Sequence, residues 1–249
     1  MGARADREVE GRDGTPVGRR AVLGLLGLGT AGVLVGAKVQ DRVAEGLAPI
    51  AAVDPTGLTG LVPGAGRFRI YTVTGDLPEM ARSAWRLRLG GLVDRPDTLT
   101  FADLTEMEPV GITADFQCVT GWRVADVPWK GVRLSDLLDR AGVQPGATHL
   151  RLTSFDGVYT ESLTMEQARR PDVIVAYEML GGAITKAHGG PVRLYVAPMY
   201  GYKSLKWLDG IEVTDHLEPG YWEHLGYDVD AWVGRSNGRD DEPPEVSGS

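Results

Sequence analysis

The stretch Phe116-Gln117-Cys118-Val119-Thr120-Gly121-Trp122, followed by Pro128-Trp129-Lys130-Gly131-Val132, holds the only cysteine of a 249-residue chain. A single thiol excludes an intramolecular disulfide and any zinc or iron–sulfur site that needs several cysteines. Three roles remain open: a buried apolar thiol, a nucleophile, or one ligand to a soft metal. The nucleophile reading is the weakest, because Cys118 has no histidine near it in sequence and His149, His188, His216 and His224 form no triad pattern.

The segments on either side of this stretch predict strands and short helices. Trp85-Arg86-Leu87-Arg88-Leu89, His149-Leu150-Arg151-Leu152 and Val192-Arg193-Leu194-Tyr195-Val196 alternate with period two, as half-buried strands do. Val173-Ile174-Val175-Ala176-Tyr177 is apolar throughout and suits a strand buried on both faces. Thr164-Met165-Glu166-Gln167 reads as a capping box, Thr100 caps a helix over Phe101 to Met107, and Leu134-Ser135-Asp136-Leu137-Leu138 repeats apolar residues at helical spacing. Glycine-containing loops between these elements predict an α+β domain with mixed sheets and short helices, spanning residues 67–235.

The N-terminus differs in composition. Residues 1–20 are polar and carry Arg4, Arg7, Arg12, Arg19 and Arg20, whereas Ala21 to Ala37 form an uncharged run of Leu, Val, Gly and Ala. The pair Arg19-Arg20 directly before that run resembles a twin-arginine export signal. No clean small-residue cleavage site follows, so the run is expected to stay as an apolar membrane anchor with its arginine-rich end cytoplasmic. Residues 38–66, with Pro49, Pro55 and Pro63, read as a linker, and residues 236–249 as a disordered tail. The net charge of −8 argues against a nucleic-acid partner, which demands concentrated Lys and Arg.

A second informative segment runs from His188-Gly189-Gly190-Pro191-Val192-Arg193 to Tyr200-Gly201-Tyr202-Lys203-Ser204-Leu205-Lys206-Trp207. Arg193, Lys203 and Lys206 lie beside glycines that permit close backbone approach, a composition suited to a phosphate or another compact anion.

The two segments, in this order, resemble the molybdopterin-binding oxidoreductases of the sulfite oxidase superfamily, and the resemblance extends over residues 68–234. It implies a molybdenum-molybdopterin cofactor, with the Cys118 thiolate binding the metal and His188, Arg193, Ser204, Leu205 and Lys206 in the cofactor pocket. Thr153 matches a further pterin-contacting position, and Tyr71 with Thr72 matches the first cofactor loop. Tyr227 falls where sulfite oxidases hold a tyrosine at the substrate side of the metal. Trp122 and Trp129 are candidates for walls of the site, with core packing as their ordinary role.

This chain also departs from true sulfite oxidases. No b-type haem domain is expected before the catalytic domain and no immunoglobulin-like dimerisation domain after it, so a monomer is expected. Arg123 and Arg133 are the only arginines near Cys118 in sequence that could serve a substrate dianion. The compact form is similar to the catalytic subunit of the periplasmic protein-methionine-sulfoxide reductases. That likeness implies oxygen-atom transfer, either S- or N-oxide reduction or oxidation of a sulfite-like anion, on the outer side of the membrane. Electrons would pass through a separate carrier such as a membrane haem protein, because no haem-binding or flavin-binding segment is evident. The alternative is a membrane-tethered ligand-binding module with the same fold and no redox turnover, which metal content would separate from the enzyme.

Overall fold

A computed structural model describes residues 68–234. The anchor, linker and tail expected at residues 1–66 and 236–249 lie outside the described residues. No described helix is long and apolar enough to cross a membrane.

Two sheets carry the fold. In the first, β1 (Arg86–Gly91), β2 (Asp97–Thr100), β5 (His149–Ser154), β6 (Thr160–Thr164) and β10 (Leu208–Thr214) lie in the order β2-β1-β10-β5-β6. The pair β1 and β10 is parallel and the others are antiparallel, which makes this the mixed sheet. The second sheet is antiparallel. It joins β3 (Val110–Gln117), β4 (Arg123–Arg133), β7 (Val173–Met179) and β8 (Gly182–Ala183), and β9 (Arg193–Val196) pairs with β7.

The helices are short and begin where their caps dictate. Thr100 closes a capping box with Asp103 at the start of α1 (Phe101–Glu106), and Thr164 does the same with Gln167 at the start of α3 (Met165–Ala168). Between them, α2 (Leu134–Ala141) turns Leu134, Leu137, Leu138 and Ala141 inward and ends on Gly142 at φ 71°, the left-handed conformation that glycine adopts without strain.

Strand parity divides the interior into two cores. From the first sheet Leu87, Leu89, Leu150, Leu152, Ile211 and Val213 enter one core, where they meet α2 and the Val173, Val175, Leu194 and Val196 side of the second sheet. The opposite side of that sheet, with Phe116, Val124, Trp129, Ile174, Ala176 and Tyr195, builds a second core with Phe68, Ile70 and Trp122. The second sheet is therefore covered on both faces. This confirms the reading of Val173 to Tyr177 and corrects that of Val192 to Val196. The alternation there is real, but all four residues of β9 are buried, since Arg193 and Tyr195 point into the second core and not into solvent.

Leu138 is fully buried between α2 and both sheets. Leu138→Ala should lower unfolding stability by about 2–5 kcal/mol, through lost transfer energy and the cavity left behind, which denaturant titration would measure.

Candidate functional site

The second core opens onto a cleft that gathers residues from five separate stretches of chain. The first is the loop joining β3 to β4, where Cys118 N donates to Trp122 O (2.9 Å) and Gly121 N to Cys118 O (3.0 Å). This turn presents the half-buried Cys118 to the cleft, with Trp122 beside it. Thr120 Oγ1 donates to Cys118 Sγ at 3.2 Å. Burial pushes the thiol above its usual range, opposed by the Thr120 hydrogen bonds, the Arg69 charge and Trp122.

The loop on either side of β9 forms the opposite wall. Gly201 N donates to Gln117 O (2.7 Å), and a Cβ on Gly201 would stand 2.6 Å from the Phe116 ring, so only glycine lets this loop close on the Cys118 turn. Gly189, at φ 94°, packs equally tightly, because a Cβ there would lie 2.5 Å from Lys206 Cβ. Trp207 takes φ 56°, costly for a bulky residue, and is held by its N–H to Gly189 O (3.0 Å) and its Nε1 to Lys186 O (2.9 Å).

Arg193 and Lys206 both line this cleft. Arg193 donates from Nη1 to His188 O and from Nη2 to Ser204 O, each at 2.7 Å, and its guanidinium lies 5.3 Å above the Phe116 ring and 5.4 Å above that of Trp129. Lys206 Nζ donates to Tyr71 O (2.5 Å) and lies 4.3 Å from the centre of the Trp207 ring. Neither cation forms an ion pair with a carboxylate among the described residues. Burial pulls Arg193 down to about 10. Burial, with Arg193 nearby and only partly offset by Asp156, pulls Lys206 down to about 7.

Tyr227 faces the cleft from the C-terminal segment, in edge contact with Tyr202 (5.4 Å) and tilted against Trp222 (5.2 Å). Burial, with the sulfur of Cys118 close by, pushes its hydroxyl up to about 12, so it remains a proton-bearing donor across the physiological range.

The cleft thus brings together Cys118, Tyr227, Tyr71, Thr72, His188, Arg193, Ser204 and Lys206. His188 is 2% exposed, its ring edge-on to Phe68, and Ser204 Oγ accepts from Val196 N (3.0 Å). Two expected residues are not brought there. Thr153 shares the parity of Arg151 on β5, so it points away from the inward Leu150 and Leu152, and its hydroxyl donates to Asp209 (2.8 Å). Leu205 packs its side chain in the first core, and its carbonyl accepts from Leu194 N (2.8 Å).

Lys203, grouped with Arg193 and Lys206 by sequence, leaves the cleft for a buried ion cluster with Glu161 and Glu223. Trp129 lies in the core, stacked on Tyr195 at 4.3 Å, and does not wall the site. Arg123 is paired with Asp115 at 2.6 Å, and the arginine that lines the cleft besides Arg193 is Arg69, which sequence reasoning missed. Its signal was one charge set between Phe68 and Ile70. Asp156, Tyr159, Tyr202 and Trp222 were missed too, because nothing local marks them.

The lining fits a large, polar, anionic group. Arg69 Nη2, Tyr71 Oη and Asp156 Oδ2 are buried without a protein partner. Such atoms are costly unless a ligand or water satisfies them. The buried Arg193 and the half-buried Lys206, without carboxylate partners among the described residues, call for an anion such as a phosphate, and the Cys118 thiol offers a ligand to a soft metal.

Residues 74–222 match the family model of the oxidoreductase molybdopterin binding domain, and the chain belongs to that family. It is a molybdopterin-dependent oxidoreductase, with molybdenum-molybdopterin as its cofactor. The uncharacterized oxidoreductase YuiH of Bacillus subtilis is 36% identical over 162 residues, covering 64% of this chain and 81% of the relative. The protein-methionine-sulfoxide reductase catalytic subunit MsrP of Ralstonia nicotianae is 30% identical over 153 residues, covering 55% of this chain and 46% of the relative. Among solved structures, the sulfane dehydrogenase SoxCD from Paracoccus pantotrophus superposes with a TM-score of 0.53 at 27% identity, over 57% of this chain and 41% of that one. The chain thus spans most of one relative and less than half of the other two.

The sign of the Lys206 shift yields a test on cofactor-free protein. A lysine with a depressed folded-state value contributes stability that is present above its unfolded value near 10.5 and lost as pH falls through about 7. Lys206→Met should therefore be more stabilising, relative to the parent, at pH 6 than at pH 10, as thermal unfolding of both proteins at the two pH values would show.

Proposed function

We propose that this chain transfers an oxygen atom to or from a small sulfur- or nitrogen-centred substrate at the cleft, with Cys118 as the protein ligand to molybdenum. The observation that carries this reading is one cleft lined by the Cys118 thiol, the Tyr227 hydroxyl and two cations, Arg193 and Lys206, that have no carboxylate partner among the described residues. When bound, the cofactor supplies two-electron oxygen-atom transfer.

The protein supplies the rest. Cys118 must lose its proton to bind a metal, and burial holds that proton on, so loading releases it. Arg193 and Lys206 would neutralise the phosphate, while Ser204, His188, Tyr71 and Thr72 would hold the ring system. Trp122 excludes water beside the sulfur. Tyr227 donates a hydrogen bond to the substrate's oxygen, for which its raised value suits it.

Reduction of an S-oxide, the reaction named for the MsrP relative, is the direction we favour, and oxidation of a small sulfur anion is the other. Arg69 offers the charge that such an anion would need. Electrons pass through a separate carrier, of which a membrane haem protein is one kind. The domain acts on the outer side of the membrane, tethered by Ala21 to Ala37 and exported by the twin-arginine route.

Cys118→Ser should remove detectable turnover while leaving unfolding stability within about 1 kcal/mol of the parent. Wild-type activity in that variant would end the ligand assignment. Tyr227→Phe should keep its molybdenum, measured by elemental analysis, and lose about 100-fold in kcat/KM, the cost of one oriented donor. Arg19→Lys with Arg20→Lys should strand folded protein in the cytoplasm, whereas undiminished export in a fractionation assay would refute twin-arginine routing.

A further inference from the structure

Lys203 is fully buried, and its ammonium donates to Glu161 Oε1 (2.8 Å) and to Glu223 Oε1. The three residues come from different places. Glu161 lies on β6 at the edge of the first sheet, Lys203 directly precedes Ser204 in the loop after β9, and Glu223 lies in the segment that carries Trp222 and Tyr227. Further bonds follow the same seam. Glu223 Oε2 accepts from Gly220 N (2.5 Å), Tyr221 N donates to Thr160 O (3.0 Å), and Tyr202 Oη donates to Asp228 O (2.8 Å).

A buried ion cluster is a poor way to gain stability, since apolar groups of the same volume serve as well. What it provides is a fixed distance between groups that must not slide. Here the groups are the Ser204–Lys206 stretch of the cofactor loop and the Trp222–Tyr227 wall of the cleft.

We propose that Lys203, bridging Glu161 and Glu223, is a positioning residue that holds the Trp222–Tyr227 wall in register with the loop bearing Ser204 and Lys206, and thereby sets how well substrate is held. This rests on the reading of the cleft as the substrate site. The two carboxylates act unequally. Burial, with Glu223 adding to it, pushes Glu161 up to about 8 against the pull of Lys203, so Glu161 is a carboxyl that takes a proton more readily than usual. Burial lowers Lys203, but the two carboxylates outweigh it and hold it charged. The other polar groups facing the cluster are Tyr159, Tyr202 and, further off, Arg193.

The test uses the molybdenum-loaded full chain and two readouts. Amide hydrogen exchange reports the wall directly, and steady-state kinetics with methionine sulfoxide and a reduced viologen dye reports substrate holding. Glu223→Gln should speed exchange at Tyr221, His224, Gly226 and Tyr227 by about tenfold or more, with the sheets unchanged. It should also raise KM several-fold with kcat and molybdenum content little altered. Glu161→Gln, which mimics the protonated acid, should leave exchange in the wall within about twofold of the parent at pH 7. If Glu223→Gln fails to fold, the paired change Lys203→Gln with Glu223→Gln removes both charges and should show the same local loosening.

Parent-like exchange and KM in whichever variant folds would overturn the proposal, as would exchange raised evenly across the domain. If the parent does not turn over methionine sulfoxide, the substrate reading fails, and the exchange comparison still decides whether Lys203 holds the wall.

Discussion

The guanidinium of Arg193 is the contact on which the site depends. It is a charge placed in a core, on a strand whose other residues are all apolar or aromatic, with no carboxylate to neutralise it. Its donors go to the carbonyls of His188 and Ser204, and its faces to Phe116 and Trp129. One side chain thereby ties the loop before β9 to the loop after it and sets both against the strand that leads to Cys118. The desolvation of that charge is met only in part by backbone dipoles and aromatic faces, and the remainder makes the cleft receptive to an anion.

The cleft hangs on this frame. Lys206 packs its stem against Gly189, where a Cβ would not fit, and its ammonium over the Trp207 ring. The Tyr202 to Ser204 stretch reaches Tyr159, Glu161 and Asp228, and so joins Trp222 and Tyr227 to the same loop. A half-buried tyrosine with a raised hydroxyl and a half-buried raised thiol then share the cleft with two depressed cations. Burial, more than charge pairing, sets the direction in which each of these groups is shifted.

The family match covers residues 74–222 and so ends before Tyr227 and begins after Tyr71. The relatives differ in the reactions their names state, as expected where a common cofactor does the chemistry and the surrounding side chains select what reaches it.

Much of this protein could be read from the order of its residues alone. Thr100 and Thr164 announce their helices because a capping box is local, and Leu87 and Leu89 show their inward face because a strand alternates with period two. Cys118 stands out because it has no counterpart in the chain, and His188 to Lys206 because cations, glycines and aromatics crowd together. Tertiary structure alone decided what those patterns could not hold. It covered the outer face of β9 and turned Arg193 from a half-exposed residue into a buried one. It sent Lys203 to Glu161 and Glu223 while keeping Lys206 in the cleft, turned Thr153 away, and brought in Arg69. Periodicity reports the direction in which a side chain leaves its own strand, whereas burial and charge pairing depend on which distant segment arrives to meet it, and that is a property of packing.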